Sequence, residues 1–393
     1  MPKKLLVYVN IPFCNSKCHF CDWVQEIPVS QLRLQSTSSV RQSYIKSLAD
    51  QIRKKGTELK LLGYAPTILY WGGGTATILT ISEIEIIANA LHETFDLDNC
   101  IEKTIEGSPE TLTPEKLNTF YKFGFRRISI GMQSMNEKVI RFIGRSHSKQ
   151  EGIDSVYMAR DAGFDEINMD IISGFPNESC EEFESSLHEA INLPVSHFSV
   201  YPYRPTPGTA MNQALRNGRY SNLDLDNQIQ SYNSAQKILN QSGFPEYAVS
   251  HFGKQKCLSD LAYFQLQMDW IGFGSGATSL INGEFLMTSR GKLEYYINNN
   301  MNYDSVFPSS SNKITSRLIY QSLSTFEGAI ASNWEERTGM KLSEIIMQPE
   351  IQGLINELKK HSTIIQDNES VRFEADKLAE SFIHLLFKSI PKE

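Results

Sequence analysis

Residues 5–21 read Leu5-Leu6-Val7-Tyr8-Val9-Asn10-Ile11-Pro12-Phe13-Cys14-Asn15-Ser16-Lys17-Cys18-His19-Phe20-Cys21. An apolar, β-branched run meets a proline and then opens into three cysteines spaced C-x3-C-x2-C, so a thiol-bearing loop directly follows a strand. The other cysteines, Cys100, Cys180 and Cys257, stand alone and read as structural. Six cysteines in 393 residues make no disulfide scaffold, so the cluster needs a chemical reason. Three thiolates on one loop can hold three irons of a cubane cluster and leave the fourth open to another ligand. Zinc is the plainer alternative, but a structural zinc site wants four ligands, usually in C-x2-C pairs, and the sequence has no second pair. Three buried core thiols fit poorly with Asn15, Ser16 and Lys17 lying between them.

Outward from this loop, strand-like runs at Leu5–Val9, Thr67–Trp71, Lys103–Glu106, Arg127–Gly131, Glu166–Ile172 and His197–Pro202 alternate with helical patterns. The helical patterns fall at about Ser39–Lys55, Ile81–Phe95, Pro114–Phe123, Glu151–Gly163 and Ser179–Leu193. Thr80 or Ser82 suits a cap on the second helix, Thr113-Pro114 a cap and first-turn proline on the third, and Gly124 and Gly163 sit where helices stop. Alternating strand and helix implies an α/β fold with parallel strands, either an open sheet or a complete or partial (β/α) barrel. Either form puts the site at the C-terminal ends of the strands.

Beyond Gly208 the rhythm breaks, with a long helix near Leu225–Ser242, a Gly-rich segment at Ile271–Gly276 and a polar stretch at Phe307–Asn312. We expect a core barrel over 1–207, an extension completing the site over 208–312, and a small, mostly helical C-terminal accessory domain over 313–393. That last part holds a strand-like piece near Ser370–Phe373. The 40% hydrophobic and 21% charged residues exclude a disordered chain. A net charge of −7 argues against a non-specific nucleic-acid binder. No apolar run approaches the roughly 18–20 residues of a membrane helix, and no cleavable signal precedes Asn10. A cytoplasmic protein is expected, monomeric by default.

Trp71-Gly72-Gly73-Gly74-Thr75 closes the second strand candidate, and its glycines leave backbone groups uncovered for the close approach of amino and carboxylate groups. A tight strand-to-helix turn would read the same way. Together with the cysteines, this loop resembles the radical S-adenosylmethionine (SAM) superfamily. Tyr8–Cys14, Trp71–Thr75, Ser129–Ser134, Gly144–His147, Asn168–Pro176 and Pro207–Thr209 are similar, in order, to its oxygen-independent coproporphyrinogen III oxidase branch. That branch includes haem chaperones and class C radical methyltransferases and cyclopropanases, and the similarity spans about Leu5 to Gly276.

The resemblance implies a partial (β/α) barrel and a [4Fe-4S] cluster on Cys14, Cys18 and Cys21. It also implies a SAM site formed by Tyr8, Phe20, Gly72, Gly73, Gly74, Thr75, Glu106, Gln133, Arg145 and Asp170, with Arg145 pairing with a carboxylate. A second SAM molecule and a flavodoxin- or ferredoxin-type electron donor are implied as well. This chain departs from its relatives at four places. Asn10 replaces the histidine of the oxidases and haem chaperones, and Trp23 stands where the oxidases tend to carry a fourth cysteine. Ser259 stands where the haem chaperones have a histidine, and Thr278 replaces a further histidine downstream, although His251 is a possible substitute. Cys21-Asp22-Trp23-Val24 also looks like the cluster loop of natural-product methyltransferases. The expected function is reductive cleavage of SAM, with methyl or methylene transfer to an sp2 carbon of a small molecule. The alternatives are porphyrinogen oxidation and haem carriage.

Overall fold

The computed structural model describes residues 2–22, 34–220, 223–288, 291 and 293–388. The expected run around Trp23 and Val24 lies outside them. Six strands build one parallel sheet in chain order: β1 (Lys3–Ile11), β2 (Tyr64–Gly73), β3 (Glu102–Gly107), β4 (Arg127–Gln133), β5 (Glu166–Ser173) and β6 (His197–Pro202). Helices at Leu34–Leu61, Ile81–Thr94, Pro114–Lys122, Lys149–Asp161 and Cys180–Ala190 make the crossovers. This is the partial (β/α) barrel.

Local chemistry fixes where those helices begin and end. Thr80, Ser148 and Ser179 each form a reciprocal capping box with the glutamate three residues on, and Thr113 caps a helix that starts with Pro114. Gly124 and Gly163 take positive φ of 88° and 92° just past helix ends, as read from the sequence.

Strand alternation divides inside from outside. Ile128, Ile130 and Met132 of β4 and Ile167, Met169 and Ile171 of β5 enter the main core under the helices. Their neighbours Arg127, Ser129, Gly131, Asn168 and Asp170 face a cavity on the other side. Trp71 of β2 packs edge-on against Phe120 and Phe125 at 5.5 Å each.

The sheet continues past both ends of this set. β7 (Glu246–Ala248) and β8 (His251–Gly253) extend it antiparallel beyond β6. On the other side β9 (Asp269–Phe273) lies parallel to β1, followed by the antiparallel β10 (Thr278–Ile281), β11 (Glu284–Met287) and β12 (Ser305–Pro308). The Gly-rich segment at Ile271–Gly276 therefore begins inside a strand, and all five residues of that strand are buried. The polar stretch at Phe307–Asn312 is the end of β12 and the start of the helix Asn312–Leu323. A second core centred on Trp334 joins helices of the C-terminal region to a three-stranded sheet, β13 (Ala329–Ile330), β14 (Ile364–Gln366) and β15 (Ser370–Phe373). Among the described residues no helix is long and apolar enough to cross a membrane.

Phe125→Ala removes a ring buried against Trp71 and Phe120, and we expect it to cost about 3–5 kcal/mol. The check is the midpoint of chemical denaturation, with Phe125→Leu falling well short of that loss.

Candidate functional site

The thiol loop and the glycine loop are locked together by backbone pairing. Ile11 of β1 pairs with Gly73 of β2, and the Gly74 N–H donates to the Ile11 carbonyl at 2.8 Å. A Cβ at Gly74 would lie 2.5 Å from the Phe13 carbonyl oxygen, which is rigid backbone. Only glycine lets the chains approach so closely. Gly72 has a different task, because a Cβ there would sit 2.7 Å from the Glu106 carboxyl. It clears room for Glu106 rather than lining the cavity.

Cys14 Sγ lies 3.3 Å from Thr75 Oγ1, and Arg145 Nη1 donates to Cys18 Sγ at 3.4 Å. The loop is pinned from behind: the His19 N–H donates to the Ile143 carbonyl, its ring meets the Phe142 carbonyl at 2.8 Å, and the Met211 N–H donates to the His19 carbonyl. Gly144, at φ 75°, accepts the His19 ring where a Cβ would lie 2.8 Å from it. Burial pushes the Cys14 thiol up to about 12, and metal binding takes that proton away. Three sulfur donors on one loop with a guanidinium beside them fit an anionic iron–sulfur cluster.

A cavity of about 490 Å3 opens at the C-terminal ends of β2–β6. Of the residues expected at the site, Tyr8, Phe20, Gly73, Gly74, Thr75, Glu106, Gln133, Arg145 and Asp170 line it together. Glu106 accepts from Tyr70 Oη at 2.8 Å and from the Gly73 N–H at 2.9 Å. Burial, reinforced by the charges of Asp170 and Asp260, pushes its carboxyl up to about 7. Asp170 accepts from Ser129 and Asn168, yet burial still raises its pKa. Gln133 holds a φ of 71° at the bulge ending β4, a local strain paid for at this wall.

Arg145 spends its two Nη atoms on Cys18, Ser108 and the Gly131 carbonyl, while its buried Nε has no acceptor. Burial favours the neutral acid at Glu110, but the His147 ring, with Nδ1 at 3.4 Å, and the charge of Arg145 hold its carboxyl at about 2. Glu110, His147 and Ser108 were not picked out from the sequence, although His147 belongs to the same Gly144–His147 motif as Arg145.

A second, larger cavity of about 740 Å3 adjoins the first, and Tyr8, Tyr70, Glu106 and Asp260 belong to both walls. Asn10, Ser259 and Thr278, three of the departures, line it. His251 does not; it is buried behind Asp260, with Nδ1 3.5 Å from the carboxylate. Cys257 is enclosed next to Ser259. Glu102 at the start of β3 accepts the N–H groups of Leu258 and Ser259 at 2.8 and 3.0 Å, which ties the helix Leu258–Phe264 to the parallel strands.

The model of the radical SAM superfamily matches residues 8–190. Residues 8–190 thus form a radical SAM domain. Its relatives support the oxygen-independent coproporphyrinogen oxidase-like branch of that superfamily. It is 28% identical over 297 residues to the heme chaperone HemW of Bacillus subtilis, covering 74% of each chain. It is also 34% identical over 197 residues to the oxygen-independent coproporphyrinogen-III oxidase-like protein HemZ of the same organism, covering 50% of this chain and 38% of that one. The structure of Escherichia coli coproporphyrinogen III oxidase HemN superposes with a TM-score of 0.77 at 21% identity, over 99% of this chain and 91% of that one. That likeness concerns the fold. The cofactors of a radical SAM protein are a [4Fe-4S] cluster and SAM, and the thiol loop and first cavity carry donors suited to both.

Gly74→Ala should cut iron bound after anaerobic reconstitution to less than half, because the new Cβ meets backbone. Gly72→Ala should keep its iron and weaken SAM binding instead, since it displaces only Glu106. Iron analysis and SAM titration of the two variants check this pair.

Proposed function

We propose that this chain is a radical SAM enzyme that cleaves SAM reductively in the first cavity and acts on a small organic molecule in the second. The observation that carries this reading is the common wall, which puts the two cavities side by side. When bound, the cluster on Cys14, Cys18 and Cys21 and the SAM molecule supply an electron and a 5′-deoxyadenosyl radical that abstracts hydrogen. The chain's own residues bind, orient and shield. Arg145 Nε is a free donor for the methionyl carboxylate, and Glu106 with the Gly73–Gly74 backbone receives the ammonium. Gln133, Ser129 and Asp170 offer hydrogen bonds to the ribose side. The apolar walls of the second cavity keep water and stray hydrogens from a radical.

Haem carriage is a second reading, favoured by the similarity to HemW. Against it, the second cavity has Ser259 and Thr278 at the departed positions and no histidine or cysteine among its described lining residues. Methyl or methylene transfer, the finer outcome expected from the sequence, has no support from the relatives reported above. Accumulation of S-adenosylhomocysteine is the product that would reveal it. A flavodoxin- or ferredoxin-type donor in the cytoplasm completes the proposal.

Anaerobically reconstituted protein given SAM and dithionite should form 5′-deoxyadenosine, and Cys18→Ala should not. A full cluster with no 5′-deoxyadenosine, together with stoichiometric haem binding, would replace the enzyme reading with haem carriage.

The Glu106 carboxyl gives this reading a pH signature. An exposed glutamate ionises near 4.5, whereas here the folded, ligand-free protein keeps the proton to about pH 7. An ammonium binds the ionised form, so SAM affinity should rise about fivefold from pH 6 to pH 7. Glu106→Gln should flatten that rise, as measured by equilibrium dialysis.

A further inference from the structure

The second cavity has a chemical bias that its apolar walls do not explain. Leu6, Ala277 and Met287 supply aliphatic surface, while Tyr8, Tyr70, Tyr263, Phe264 and Trp270 supply aromatic faces around it. The rings brace one another: Tyr8 stacks on Tyr70 at 5.9 Å, and Tyr263 meets Trp270 edge-on at 4.9 Å. Two carboxyl groups, Asp260 and Glu106, stand where this aromatic lining meets the first cavity.

The charge around Asp260 is unbalanced. It meets His251 Nδ1 at 3.5 Å, and burial lowers the pKa of that imidazole against the pull of the carboxylate. Among the described residues, no lysine or arginine forms an ion pair with Asp260 or Glu106. The buried cation of the neighbourhood, Arg127, pairs with Glu166 at 3.6 Å and also feels Glu102 and Asp260. One guanidinium thus stands among Glu102, Glu106, Glu166, Asp170 and Asp260. The surplus negative charge shows in Tyr70, held well above its ordinary pKa by burial and then by Glu106 and Asp260. Arg317 stands at the cavity's exposed side, its guanidinium over the Phe285 ring.

Aromatic faces and a carboxylate that no lysine or arginine engages in an ion pair are what a desolvated cation needs: quadrupole attraction from the rings and Coulomb attraction from the acid. We infer that the second cavity takes an organic substrate with a flat, apolar body and a cationic nitrogen held by Asp260 among the aromatic rings. This rests on the reading of the second cavity as the substrate site, and it names the class of substrate. The sulfonium of a second SAM molecule offers related chemistry, so the test keeps SAM saturating throughout.

The experiment uses cluster-loaded protein with excess SAM and no reductant, so that nothing turns over. Three probes share one body and differ in charge: 2-(1-naphthyl)ethylamine, 2-(1-naphthyl)ethanol and 1-naphthylacetate. The amine should bind at least about tenfold more tightly than the alcohol or the acetate. Asp260→Asn should bring that preference to less than about threefold while leaving alcohol binding within about twofold, and the alcohol therefore serves as the folding control. Equal binding of amine and alcohol, a preference that survives Asp260→Asn, or no binding of the amine beside saturating SAM would each overturn the inference. A protein that cleaves SAM without preferring the amine defeats this inference alone. One that prefers the amine but never cleaves SAM defeats the enzyme reading and leaves the cavity's charge selectivity standing.

Discussion

Backbone contact between the ends of β1 and β2 is the constraint on which the site depends. The Ile11–Gly73 pair and the hydrogen bond from Gly74 to Ile11 bring two loops of different chemistry within one peptide width. The thiols arrive from one strand and the uncovered amides from the next. A side chain at Gly74 would force these loops apart. The same closeness explains the surrounding supports, in which His19 rests on Gly144 and Arg145 reaches Cys18 from the turn after the helix Glu137–Phe142. Each of these holds the thiol loop against a strand end whose position the sheet has already set.

Around that junction the barrel interior concentrates acidity. Strand alternation sends isoleucine and methionine outward and leaves Glu106, Asp170 and their hydroxyl and amide partners inside, in a space where charge is poorly solvated. Glu106 answers by holding a proton to about pH 7, and Asp170 by gathering hydrogen bonds from Ser129 and Asn168. Arg145 and Arg127 offset part of the charge. What they leave uncompensated lies on the wall between the two cavities, where ligand chemistry meets it.

The parallel half of the fold was readable because its signals are local. Each strand alternates or ends in glycine, the helices at Ile81–Thr94 and Pro114–Lys122 announce their caps, and the three cysteines stand within eight residues. The second cavity was not readable in that way. Tyr8, Tyr70, Asp260 and Trp270 come from four separate elements, and no single motif joins them. β9 is buried on both faces and therefore lacks alternation, so the sequence shows only a Gly-rich segment at Ile271–Gly276 where the strand runs. The polar run at Phe307–Asn312 suggested a boundary, although it joins a strand to a helix that packs into the second core. Asp260 lies beside Ser259, and no sequence signal marks it, because what sets it apart is the lack of a lysine or arginine in an ion pair with it among the described residues.

The superfamily model stops at residue 190, before the helix Leu258–Phe264 and before β9–β12. In the proposed reading the earlier stretch holds the cofactors and gives Leu6, Tyr8, Asn10, Tyr70 and Glu106 to the second cavity, and a later stretch of the chain supplies the rest of its lining. Glu102 pins the recognising helix by its first two amides and asks nothing of the residues facing the cavity. Such a layout lets descent act unequally. Mutation can revise what the pocket accepts while the radical-generating half passes on unaltered, so new substrates can be acquired without reinventing the chemistry.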